Sequence, residues 1–296
     1  MKIKKILCSV LLATCMLFSL TACGSSNGSK DAKKADDSSK SGNITVGFSQ
    51  VGAESDWRTA NSTSMKETFS EENGYTLIFD DAQQKQENQT KAVREFITQG
   101  VDVIAIAPVT ETGWETVLKE AKKADIPVIT VDRQIKTSDD SLITAWVGSD
   151  FKKEGVKAAE WLIKEKGKEK GDVNIAVLQG TIGSSAEIGR TKGFKEGIKD
   201  QKNFKIIASQ TGEFTQAKGQ EVMEDFLEKY DDIDVVISEN DNMTFGVIDA
   251  LEAAGKKMGT DGDVIVISFD AVKDALTVMQ DEKIMADFEC NPLTAP

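Results

Sequence analysis

Five apolar runs in this 296-residue chain are each followed closely by acidic, amide or guanidinium side chains. The run 44–48 leads to Gln50 and then to Glu54, Asp56, Trp57 and Arg58, and the run 127–131 ends in Asp132-Arg133. Further on, 173–178 opens into 179–185 with Arg190 a turn or two beyond, 234–237 ends in Glu239-Asn240-Asp241, and 264–267 leads to Asp270. Carboxylates accept hydrogen bonds, guanidinium groups donate along fixed directions, and a carboxamide does both. An indole adds apolar area that can cover a C–H face. This mixture suits a polyhydroxylated ligand, with bonds to charged groups contributing about 1.5–3 kcal/mol each. Singly, each residue has a structural use: Asp132 as a turn former, Arg133 and Arg190 as ion-pair partners, Trp57 as core. Their joint placement carries the functional reading.

Composition removes much other chemistry. With 49 Asp and Glu against 36 Lys and Arg, the net charge of −13 argues against a nucleic-acid partner, which needs a basic surface. The absence of histidine excludes Ser-His-Asp and Cys-His nucleophiles and histidine-ligated zinc. No G-x-G-x-x-G follows a strand, and 183–189 lacks the Lys-Ser/Thr of a P-loop. We assign no catalytic residue, no metal ligand and no cofactor. Two rivals to a binding protein remain: a glycosidase using Asp132 and Asp270 as paired carboxylates, and a sugar-responsive sensor or regulator. The regulator is disfavoured because the N-terminus has the features of an export signal where a DNA-binding helix-turn-helix would sit.

Three lysines within residues 1–5 precede an apolar stretch over 6–20, an export-signal pattern too short to span as an ordinary membrane helix. It ends in Leu20-Thr21-Ala22-Cys23, which resembles a lipobox. Residues 1–22 are thus read as a lipoprotein signal peptide, with Cys23 lipid-modified and 23–42 a flexible Ser/Gly/Asn/Lys/Asp tether. The expected location is extracytoplasmic, lipid-anchored to the cell membrane. Cys8 and Cys15 leave with the signal and Cys23 is blocked, so Cys290 stands alone and no intramolecular disulfide is expected.

The elements that must position the polar clusters follow from periodicity. Strands are expected at 44–48, 76–79, 101–107, 127–131 and 142–147, with helices at 57–70, 87–99 and 113–123 between them. The rhythm then restarts. Helices are expected at 151–166, 185–199, 216–229, 243–254 and 272–280, with strands at 173–178, 205–208, 234–237 and 264–267. Continuous apolar runs such as Val103-Ile104-Ala105-Ile106 suit parallel strands covered on both faces. The fold class is therefore α/β, two similar doubly wound parallel-sheet lobes, the first over 43–148 and the second over 149–288. Two internal echoes support the duplication: 92–97 against 221–227, and Val128-Ile129-Thr130-Val131-Asp132 against Val266-Ile267-Ser268-Phe269-Asp270. Ligands of such sheets bind beyond the carboxyl ends of the strands, where the polar clusters lie.

Val46-Gly47-Phe48-Ser49-Gln50-Val51-Gly52 and Ser55-Asp56-Trp57-Arg58 resemble the ribose/galactose class of type I periplasmic sugar-binding proteins of ABC uptake. So do Gln83-Gln84-Lys85-Gln86-Glu87-Asn88-Gln89, Ala107-Pro108-Val109, Leu178-Gln179-Gly180-Thr181 and Asn240-Asp241, the likeness running from about 44 to 292 and leaning toward the galactofuranose-binding branch. The resemblance implies that Asp132 and Arg133 bind sugar hydroxyls from the first lobe, with Trp57 and Arg58 stacking and capping and Glu54 contributing from its loop. Arg190, Asn240 and Asp270 would close from the second lobe. It further implies a monosaccharide ligand caught by hinge closure, an ABC permease with its ATPase subunits as partner, and a monomer tethered to the membrane by its lipid. Chain crossings between the lobes are expected at 146–150, at Ala271 and, as a third crossing, over 289–296. Relatives continue for a few tens of residues beyond that, so a C-terminal return segment of the first lobe is expected to be missing.

Overall fold

The computed structural model describes residues 42–293; the expected signal peptide, Cys23 and nearly all of the tether lie outside the described residues. Two five-stranded sheets, both wholly parallel, organise the chain. The first contains β1 (Ile44–Gln50), β2 (Tyr75–Asp81), β3 (Val103–Ile106), β4 (Val128–Val131) and β5 (Ala145–Val147) in the order β2-β1-β3-β4-β5. The second contains β6 (Val173–Gln179), β7 (Phe204–Thr211), β8 (Val235–Ser238), β9 (Ile265–Asp270) and β10 (Ala286–Glu289) in the order β10-β9-β8-β6-β7. Read from the other edge, the second order repeats the first, so β4 corresponds to β9 and β2 to β7. Both sequence echoes thus join topologically equivalent segments.

Alternation along the strands sends side chains to helices on either face. In the first sheet, Ile104 and Ile106 pack with Val93 and Phe96 of α2 (Gln86–Gln99) and Val117 and Leu118 of α3 (Glu115–Lys123). Ala105 and Val131 turn to the other face, toward Met65 of α1 (Asp56–Thr68). In the second sheet, Ile175, Val177 and Ile267 meet Leu162 of α4 (Phe151–Lys166) and Phe194 of α5 (Ser185–Ile198). Leu178, Val236 and Val266 meet Met223 of α6 (Gln216–Lys229) and Leu251 of α7 (Asp241–Ala253). The last helix, α8 (Lys273–Gln280), buries Ala275 against Ile248 and Ile284.

The departures from the sequence reading have local causes. Helix α3 starts two residues later than expected because Gly113 takes φ +91°, outside helical space. Only 145–147 of the strand expected over 142–147 pairs with β4, since 140–142 form a short 3₁₀ turn capped by Asp139. Strand β10 was not anticipated from its four residues. Its pairing with β9 corrects the expected crossing at Ala271, which lies in the β9–α8 connection of the second sheet. The chain passes from the first sheet to the second between β5 and α4. Beyond β10 it runs back against α1, where the Pro292 carbonyl accepts from Asn61 Nδ2 at 2.8 Å.

Helices α4 and α5 touch through glycine. A Cβ on Gly155 would lie 2.2 Å from the Arg190 carbonyl oxygen, and one on Gly193 would lie 2.1 Å from that of Lys152. Gly193→Ala is therefore expected to force the helices apart and cost roughly 1–3 kcal/mol. Thermal melting checks this, and a variant as stable as the wild type would show that the approach is not needed.

Candidate functional site

All eight residues expected at the ligand site line one cavity between the facing strand ends of the two sheets: Glu54, Trp57, Arg58, Asp132, Arg133, Arg190, Asn240 and Asp270. The empty space among them, open solvent included, is about 290 Å³. In this joined form the charged side chains pack closely across the seam, leaving room for little more than a water molecule.

The first sheet supplies one charged group. Ser55 caps α1 by accepting from the Arg58 amide, which turns the first helical turn toward the cavity. Arg58 donates through Nη2 to Asp132 Oδ2 at 2.7 Å and through Nε to Glu54 Oε1 at 3.1 Å, and its guanidinium lies 4.7 Å from the centre of the Trp57 ring. Burial penalises the Glu54 carboxylate, but Arg58 and Arg133 outweigh it and hold its pKa below the ordinary value. Asp132 follows β4 at φ +61°, a left-handed conformation that Asp tolerates better than most residues. Arg133 sits 3.6 Å from Glu54 and 3.8 Å from Asp132, over the Phe214 ring at 5.0 Å. Desolvation and the neighbouring Arg58 push its pKa down to about 10, which still leaves it cationic at neutral pH.

The second sheet supplies the other group. Arg190, on α5, donates through Nε to Glu154 Oε2 and through Nη2 to Asp270 Oδ1, both at 2.9 Å, and through Nη1 to the Glu239 carbonyl. Burial raises the Asp270 pKa against the pull of Arg190, because this one guanidinium serves two carboxylates. Asn240 caps α7 through Oδ1 and donates one Nδ2 hydrogen to the Phe214 carbonyl at 3.1 Å. A carboxamide nitrogen carries two hydrogens, so one remains for the cavity.

Each of these ion pairs lies within one lobe, whereas the apolar contacts bridge them. Trp57 from α1 packs with Phe151, Ala186, Phe214, Met243 and Cys290, and its indole N–H donates to the Cys290 carbonyl at 2.5 Å. The expected stacking residue is therefore also a joint between the lobes, with one ring face against Arg58. Four buried polar atoms in or behind the cavity have no hydrogen-bond partner: Arg58 Nη1, Arg133 Nε, Glu54 Oε2 and Glu154 Oε1. Such atoms are costly unless something meets them.

Sequence reasoning missed Phe151 and Phe214 in the wall and Glu154 behind Arg190. Phe214 follows β7, so interrogating that strand end like the others would have found it. Glu154 sits inside α4 and carries no motif. Cys290 also lines the wall as a buried free thiol. Among the described residues, no His, Cys, Asp or Glu cluster could hold a metal ion.

Two parallel α/β lobes facing each other across a small charged cavity define a type I solute-binding protein. The sequence profile described as a periplasmic binding protein domain matches residues 46–288, and the chain belongs to that family. It is 49% identical over 253 residues to the galactofuranose-binding protein YtfQ of Escherichia coli K12, covering 84% of this chain and 78% of that one. A solved Mycobacterium smegmatis structure in complex with β-D-fucofuranose is 48% identical with a TM-score of 0.81, covering 84% of this chain and 81% of that one. The periplasmic binding component of the arabinose ABC transporter from Shewanella sp. ANA-3, bound to α- and β-L-arabinofuranose, is 50% identical with a TM-score of 0.79 and covers 84% and 82%. These relatives are sugar-binding proteins and not enzymes.

Glu239 makes a pH test available. It is fully buried, accepts from the Gly180 amide and the Thr191 hydroxyl, and desolvation raises its pKa to about 8. Because the folded pKa exceeds the unfolded value of about 4.3, its stabilising contribution is whole at acid pH and is lost as pH rises through about 8, by at most about 1.4 kcal/mol per unit. Glu239→Gln, neutral at every pH, should gain on the wild type in thermal melts between about pH 5.5 and about pH 8.5. A constant difference across that range would contradict the assignment.

Proposed function

We propose that this chain is an extracytoplasmic receptor that captures a furanose monosaccharide, galactofuranose or a related pentofuranose or hexofuranose, and delivers it to an ABC importer. The observation that supports this best is the cavity wall itself: two charged groups, one from each lobe, each paired within its own lobe and facing the other across the seam. In this reading Asp132 and Asp270 accept from sugar hydroxyls, while Arg58, Arg133, Arg190 and Asn240 donate to hydroxyl and ring oxygens. Glu54 fixes the two first-lobe arginines, and Trp57 with Phe214 covers the apolar C–H surface.

The expected mechanism is hinge closure. A ligand touching both lobes makes its full set of contacts only when they are together, so its differential contacts shift the population toward the closed form. A monomeric receptor held at the membrane through a lipid on Cys23 and the tether 23–42 would present that closed shape to a permease and its ATPase subunits.

Calorimetry with a panel of pentoses and hexoses tests the reading. Asp132→Ala leaves Arg58 Nη2 and a sugar hydroxyl unmet, and should lose roughly 10- to 200-fold in affinity. Asp132→Asn keeps the left-handed backbone and the side-chain shape while removing the charge, and should also bind weakly. Undiminished binding by both variants would remove Asp132 from the site, and no binding of any furanose by the wild type would overturn the proposal.

A further inference from the structure

Besides the Trp57–Cys290 bond, hydrogen bonds outside the charged groups of the cavity join the lobes at further places among the described residues. Asp56, the first residue of α1, and Asn242, the second residue of α7, exchange two: the Asp56 amide donates to Asn242 Oδ1 at 3.0 Å, and Asn242 Nδ2 donates to Asp56 Oδ2 at 3.2 Å. Elsewhere the Glu111 amide donates to the Gly183 carbonyl at 2.8 Å, and the Gln134 amide donates to Ser185 Oγ at 2.8 Å. Only the Asp56–Asn242 connection is a reciprocal pair built from side chains on both partners. Neither Asp56 nor Asn242 lines the cavity; Asp56 is exposed and Asn242 half-buried.

We propose that Asp56 and Asn242 form a ligand-independent clasp that sets how often the lobes come together, and so tunes sugar affinity without touching sugar. The inference deepens the receptor reading and rests on it for its effect on affinity. When the lobes part, water meets both ends, so the pair favours only the joined form. Apparent affinity scales with the fraction of molecules in the competent form, so whatever lowers that fraction raises the apparent Kd in proportion. Two partly exposed hydrogen bonds should change the ratio of joined to parted forms by roughly three- to tenfold.

The pair also offers a substitution that separates clasping from helix stability. Asn242→Asp adds an acid to the first turn of α7, which favours the helix through its dipole, but it sets a second carboxylate against Asp56. The exchange Asp56→Asn with Asn242→Asp restores both bonds with the roles of amide and carboxylate reversed: the amide of residue 56 still donates to an oxygen of residue 242, and the side-chain nitrogen now comes from residue 56.

The test measures the distance between dyes on α2 and α6 by single-molecule energy transfer without sugar, together with arabinose or galactofuranose binding by calorimetry. Asn242→Asp should lengthen the sugar-free distance and weaken binding by roughly three- to tenfold, through faster release. The double exchange should return both readings to wild type. Wild-type distances in Asn242→Asp, or a double exchange as open as the single variant, would overturn the clasp. If wild-type protein bound none of these sugars, the receptor reading would fail while the distance series still decided the clasp.

Discussion

Arginine side chains taken out of water need carboxylates beside them, and three sit in one seam of this molecule, each with its side chain about 3% exposed. Burying an unpaired ion costs several kcal/mol, so each arginine of the seam is paired with carboxylates of its own lobe. Glu54 and Asp132 serve Arg58 and, at longer range, Arg133; Glu154 and Asp270 serve Arg190. Since neither group borrows an ion-pair partner from the other lobe, the two can separate without breaking an ion pair. Left over without hydrogen-bond partners are two donors, Arg58 Nη1 and Arg133 Nε, and two carboxylate acceptors, Glu54 Oε2 and Glu154 Oε1.

The backbone that delivers these groups is duplicated. Asp132 after β4 and Asp270 after β9 both take positive φ, at +61° and +110°, and the loops after β2 and β7 each contain two consecutive left-handed residues, Gln83-Gln84 and Glu213-Phe214. A left-handed residue at a strand end turns the chain abruptly and costs of order 1–3 kcal/mol where the side chain resists it. The same turn recurs at equivalent positions, which is how two lobes aim their strand ends at one space. In the second lobe the turn after β7 brings Phe214 into the wall; in the first, the corresponding Gln83-Gln84 does not line the cavity.

Most of the architecture was legible in the sequence because parallel strands buried on both faces leave continuous apolar runs, and the helices between them keep one apolar face. The boundaries of α4 and α6 fell where periodicity put them. The site was legible for a related reason: Asp132, Arg133, Asn240 and Asp270 stand directly after strands, where an α/β sheet places ligands. Legibility failed where an interaction is purely tertiary. Glu154 looks like any exposed helical acid until the α4–α5 glycine contact brings Arg190 over it. Strand β10 is too short to show a period, and its membership of the second sheet depends on the neighbour it finds in β9. The inter-lobe place of Trp57 was equally hidden, since its indole partner is a carbonyl 233 residues away in the chain.

A crystal structure with L-arabinofuranose or galactofuranose bound is the most direct measurement. One sugar should lie between the lobes with its hydroxyls within hydrogen-bonding distance of Asp132 or Arg58 from the first sheet and of Arg190 or Asp270 from the second. A sugar held by one lobe alone, or bound away from this seam with the arginines still turned to their own carboxylates, would contradict it.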